Sequence, residues 1–95
     1  MTKQEINTKL KELFDAEMSA EVNNEAKELL ANYQSVLAAD HKEQLEKYLA
    51  EGGEKEDFAP RKDDEDATFS DLWTKYTQKK TSWEKEKAEA ENRNL

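Results

Sequence analysis

The chain has 95 residues, of which 35% are hydrophobic and 40% charged, and a formal net charge of -8. That length allows one small domain with a single thin core and leaves no room for a separate cofactor-binding unit. With no cysteine and a single histidine, His41, disulfides, thiol nucleophiles, thiolate metal sites and histidine metal clusters are excluded.

Reading from the N-terminus, "TKQE" at residues 2 to 5 has the form of a capping box, in which Thr2 accepts from the backbone of the third helical residue and Glu5 reaches back. Ile6, Leu10, Leu13 and Phe14 follow at helical spacing, with Asn7, Lys9, Lys11 and Glu12 off the stripe. A first helix is expected over 3 to 16. Ser19 is a suitable N-cap for a second, where Val22, Ala26, Leu29, Leu30, Tyr33, Val36 and Leu37 keep the same period. "DHKEQLEKYLA" then offers a fresh start, with Asp40 as cap, Glu43 at the third helical position, and Leu45, Tyr48 and Leu49 as a new stripe. The pattern alone allows either one helix running through to Glu51 or a break at Ala39 and Asp40; of the two a break or kink is expected, giving helices over 20 to 38 and 40 to 51.

Gly52 and Gly53 form a helix stop, because glycine takes the left-handed conformation that satisfies the last carbonyls. Pro60 disfavours helix at Ala59, and the like charges of "RKDDED" resist compact folding, so 52 to 67 is expected to be a solvated joint. Phe58, the only large apolar residue between Leu49 and Phe69, should pin this connector to the core. Thr68 or Asp66 can cap a last helix over 67 to 92, with Phe69, Leu72, Trp73, Tyr76 and Trp83 on one broad face. A coiled-coil seam fails after its first turn, since the positions three beyond Phe69, Tyr76 and Trp83 read Leu72, Lys79 and Glu86.

The pattern predicts an all-α fold: a small bundle of three to four helices over 1 to 83, followed by a charged helical tail over 84 to 95. No stretch alternates apolar and polar residues as a strand would. The core expected from the stripes comprises Leu10, Leu13, Phe14, Leu29, Tyr33, Val36, Leu37, Leu45, Leu49, Phe69, Leu72, Trp73 and Tyr76.

Enzyme chemistry finds no foothold in the sequence. A calcium loop counted from Asp63 meets Thr68 and Thr74 where glycine and glutamate are needed. His41 has no nucleophile elbow near it, and the paired glycines end a helix where a phosphate loop would open one. Neither catalytic residues, cofactor nor metal is expected. No apolar run approaches the roughly 18 to 20 residues of a membrane span. "MTKQEINTKL" also lacks a signal peptide's apolar segment, so the expected setting is cytoplasmic.

Charge is uneven: residues 1 to 51 carry 6 Lys/Arg against 11 Asp/Glu, 52 to 67 carry 3 against 7, and 68 to 95 carry 6 against 5. Only the last segment can offer a locally basic face to phosphates. There Lys75, Lys79, Lys80, Lys85 and Lys87 interleave with Tyr76 and Trp83, an arrangement single-strand binders use. Lys75, Lys79, Lys80, Trp83 and Lys87 are accordingly the candidate partner-binding residues.

"YLAEGGEKEDFAP" and the charged, aromatic-bearing helix after it resemble the N-terminal region of bacterial proteins built from the helical repeat called domain of unknown function three-four-nine. Gly52, Gly53, Asp57, Phe58 and Pro60 match that family's order. The last helix has more aromatics and fewer lysines than is usual there, and no complete repeat is visible. The resemblance implies an all-helical, cytoplasmic segment of a longer protein, with no catalytic residue carried over. Two functions follow as expectations: a non-enzymatic interaction or scaffolding segment whose partner is protein, or an RNA-binding module using the lysine-bearing last helix.

Overall fold

Thr2 caps the first helix as its spacing predicts: its hydroxyl accepts from the Glu5 amide at 3.1 Å and the Glu5 carboxylate accepts from the Thr2 amide at 3.4 Å. The computed structural model describes residues 1 to 93, which form helices α1 (Lys3–Asp15), α2 (Ala20–Ala50) and α3 (Asp64–Arg93), a 3-10 turn (Lys55–Asp57) and no strand. Ser19 caps α2 by accepting from the Val22 amide at 3.2 Å. Asn94 and Leu95 of the expected tail lie outside the described residues.

The expected break at Asp40 is absent. No glycine or proline lies between Ala20 and Ala50, and Asp and His each cost only about 0.7 kcal/mol or less inside a helix, so packing decides. Asp40 does not cap. Its carboxylate instead accepts from the Lys3 ammonium at 3.1 Å and from the Gln44 amide at 3.0 Å. The bundle therefore has three helices.

Side-chain pairings fix the directions of the helices. Lys3 meets Asp63 and Asp66, Asn7 meets Glu65, and Lys79 meets the end of α1, so α1 and α3 run parallel. Tyr33 meets Asp66 and Asn23 meets Tyr76, so α2 is antiparallel to both. The two long helices are staggered, which draws the molecule out to 66 × 25 × 18 Å. α2 extends past the start of α1, and α3 past its end.

The core sits where all three helices overlap. Ile6 and Leu10 are fully buried from α1, Ala26, Leu29 and Tyr33 are buried from α2, and Phe69 and Tyr76 from α3. Met18, in the α1–α2 turn, joins them. α1 lies backbone-close to both neighbours, whereas α2 and α3 meet through aromatic rings: Tyr33 stacks on Phe69 at 3.8 Å, and Trp73 lies 5.9 Å from Phe69 and 5.4 Å from Tyr76. Phe14, Val36, Leu37, Leu72 and Trp73 are half-buried at its edge. Leu45 and Leu49 are not core residues; they lie on the α2 overhang, where neither other helix reaches, and Leu49 is 44% exposed.

The connector begins as the glycines require. Gly53 donates to the Tyr48 carbonyl at 2.9 Å and Gly52 to that of Leu49 at 3.1 Å, closing a Schellman motif with Gly52 at φ +93°. A side chain at Gly52 would be strained, so Gly52→Ala is expected to lower stability by about 1 kcal/mol, seen as a lower urea midpoint at unchanged slope. Phe58 does not reach the core. It packs on Tyr48 at 5.6 Å, pinning the connector to the α2 overhang, and Arg61 donates to the Gln44 side chain at 2.9 Å.

The connector is also shorter than expected, because α3 starts at Asp64. Asp63 accepts from the Asp66 amide at 2.9 Å while Asp66 accepts from the Asp63 amide at 3.1 Å, a capping box made of two aspartates. The acidic run is thus the first turn of a helix, where negative charge meets the dipole favourably.

Candidate functional site: a groove between α2 and α3

On the side away from α1, no helix covers the seam between α2 and α3. Two adjoining depressions of about 710 and 310 Å³, sharing Trp73, run along it. Leu30, Leu37 and His41 line it from α2, and Phe69, Ser70, Trp73, Thr74 and Thr77 from α3.

The sequence of α2 explains why this side is apolar. At about 100° per residue, Leu30, Gln34, Leu37 and His41 fall in one arc, and Glu21, Glu25, Glu28, Glu43 and Glu46 in the opposite one. The glutamates of the helix are segregated away from the groove. On α3 the equivalent strip is serine and threonine, but the Thr74 hydroxyl donates to the Ser70 carbonyl at 2.9 Å and that of Thr77 to the Trp73 carbonyl at 2.8 Å. With their donors used inside the helix, these threonines present chiefly methyl groups.

Charged residues do line the groove, at its margins. Lys62 stands at one end, and Lys27 and Lys80 at the other. The two carboxylates nearby are engaged: Asp71 pairs with Lys75 at 3.1 Å, and buried Asp66 is held by Lys3 and the Tyr33 hydroxyl. Burial alone would raise the Asp66 pKa, yet the Tyr33 hydroxyl, the Asp63 amide and the Lys3 ammonium together hold it below the usual carboxylate range. Tyr33 is correspondingly pushed above the ordinary phenol value by burial and by the Asp66 carboxylate. These groups form a polar clasp joining all three helices beneath one end of the groove.

The residues singled out from the sequence do not form one surface. Lys79 turns inward: its ammonium donates to the Ala16 carbonyl at 2.7 Å and to that of Phe14, and stands 5.3 Å from the Phe14 ring. It closes the C-terminus of α1, where a cation meets the helix dipole favourably. Lys75 is exposed and paired with Asp71, Lys80 reaches Glu84 at 3.8 Å, and Lys87 lies over the half-buried Trp83 at 5.3 Å. Of the five, only Lys80 lines the groove. Lys79→Ala is expected to cost about 1 to 2 kcal/mol in thermal or urea unfolding, against less than about 0.5 for Lys75→Ala.

The groove residues Lys27, Leu30, Leu37, His41, Lys62 and Trp73 were not visible as a set. Their signal in the sequence was a missing one, an arc of α2 without glutamate. Among the described residues no group of three or more His, Asp or Glu is arranged to hold a metal ion, and no helix is long and apolar enough to cross a membrane. No family model, curated protein or solved structure matches the chain.

Proposed function

We propose that this chain is a non-enzymatic helical interaction segment that accepts a partner helix in the groove between α2 and α3. One observation carries the reading: in a protein that is 40% charged, an apolar seam floored by Leu37, Phe69 and Trp73 lies open along two antiparallel helices. A partner helix laid there would complete a four-helix bundle and bury the Trp73 indole, the kind of residue that dominates helix-in-groove binding. α3 beyond Glu84, exposed along its length to Asn92, would act as a strut toward further helices.

The RNA-binding alternative draws on Lys87 over Trp83, a cation beside a partly exposed ring. It is the weaker reading, because Lys79 is committed to α1 and Lys75 to Asp71. The test is a titration of labelled protein with an 18-residue amphipathic peptide bearing leucines on one face and glutamines on the other. Shifts confined to groove residues are expected, with little dependence on salt. Shifts at residues 80 to 90 on adding single-stranded RNA at low salt, lost at physiological salt and without any response to the peptide, would favour the alternative.

A further inference from the structure

Resting on that reading, we infer that the partner helix is acidic along its flanks. The chain as a whole carries a charge of -8, so a generic partner would be basic and would bind the outer surface. The groove reverses that expectation. Its margins bear Lys27 and Lys80 at one end and Lys62 at the other, while the two lining carboxylates are turned to other cations: buried Asp66 to Lys3, which it shares with Asp40 and Asp63, and Asp71 to Lys75. Lys27 and Lys62 have no carboxylate within ion-pairing distance among the described residues, and Lys80 holds Glu84 only loosely at 3.8 Å. All five glutamates of α2 named above face away. The result is an apolar trough rimmed by cations on an otherwise acidic molecule.

From Asn23 to His41 the lined part of α2 is about 27 Å long at 1.5 Å per residue, which suits a helix of about 18 residues. Such a helix would place an apolar stripe against Leu37 and Trp73. Its carboxylates would meet the rim cations at both ends. Two copies of this chain docked face to face would set those cations against one another, so a second copy is not the occupant this charge pattern favours.

Two further 18-residue peptides test the inference, identical to the glutamine-flanked probe except for glutamate or lysine at the flanks, each titrated against the whole chain at low salt and followed by resonance shifts. The glutamate peptide is expected to bind at least tenfold more tightly than the lysine peptide. In the triple variant Lys27→Glu, Lys62→Glu, Lys80→Glu, all surface changes, the preference should fall to within twofold or invert. Equal binding of all three peptides in the groove would overturn the acidic-partner inference while leaving helix docking intact. If no peptide, the glutamine one included, shifts Leu30, Leu37 or Trp73, the docking reading itself fails. A concentration-dependent dimer in sedimentation that shields those residues would make the occupant a second copy and overturn the inference. Binding of single-stranded RNA, lost in the triple variant without shifts at Leu37 or Trp73, would assign the rim to nucleic acid and overturn it likewise.

Discussion

Lys3→Met is expected to destabilise the protein by about 3 kcal/mol, the lower end of the range for removing one partner from a buried ion pair. Lys3 is 10% exposed and is surrounded by Asp40 at 3.1 Å, Asp63 at 3.0 Å and Asp66 at 3.1 Å. A cation at the start of α1 opposes the helix dipole, so its place there depends on these carboxylates. Without the ammonium, Asp66 remains buried with only the Tyr33 hydroxyl and the Asp63 amide to satisfy it. Asp63 is 54% exposed and can turn to water, which limits the loss. Against a total stability of about 5 to 10 kcal/mol for a domain of this size, the variant should still fold.

The clasp also gives the loss a pH signature. The Asp66 pKa is lower in the folded protein than its unfolded value of about 3.9, so its stabilisation is complete above that value and disappears as pH falls through the folded one. Burial lowers the Lys3 pKa, but hydrogen bonds to Asp63, Asp66 and Asp40 raise it further, so its stabilisation is complete below about 10.4 and lost as pH climbs through the raised value. Urea midpoints for the natural protein should therefore fall below about pH 4. In Lys3→Met the part of the Asp66 stabilisation that comes from the ammonium is already gone, so less is lost on protonation and the gap between the two proteins should narrow over the same range. A gap independent of pH between 3 and 7 would mean that Lys3 acts through packing of its stem alone.

Leu10→Ala should cost about 3 to 4 kcal/mol, comparable to the clasp, because Leu10 is fully buried in the core and its loss leaves a cavity there. Leu29→Ala, at a site 6% exposed, belongs in the same range of about 2 to 5 kcal/mol. Leu49→Ala should change stability by less than about 0.5 kcal/mol. Denaturant unfolding of the three variants checks the ordering, and a Leu49→Ala loss as large as that at Leu10 would place the α2 overhang inside a core that the present packing denies it.

Local signals in the sequence were legible where the partner of a group lies a few residues away. Thr2 with Glu5, Ser19 with the Val22 amide, and Gly52 with Gly53 are contained within one turn of chain, and each acts as its spacing predicts. The acidic run reads as wholly part of a joint, whereas Asp64, Glu65 and Asp66 begin α3, because the counterion Lys3 is remote in sequence and like charges read in isolation look repulsive. Asn7 reads as off the apolar stripe because it is polar, yet it is 5% exposed, with its amide donating to the Glu65 carbonyl at 3.0 Å and carboxylate at 2.8 Å. Leu45 and Leu49 have the right period but no opposing helix, and periodicity carries no information about stagger. The groove was hidden for a related reason: Leu30, Leu37 and Trp73 keep the period of core residues, yet they are half-buried because neither α1 nor the connector covers that side of the α2–α3 seam.

That open side is the feature on which the functional account rests, and its solvent access can be measured directly on the free chain. A soluble paramagnetic agent added to methyl-labelled protein should strongly broaden the methyls of Leu30 and Leu37 and the Trp73 indole signal, while leaving those of Ile6 and Leu10 sharp. Leu30 and Leu37 shielded as fully as Ile6 and Leu10 at every protein concentration would show the groove already filled, and would contradict the account.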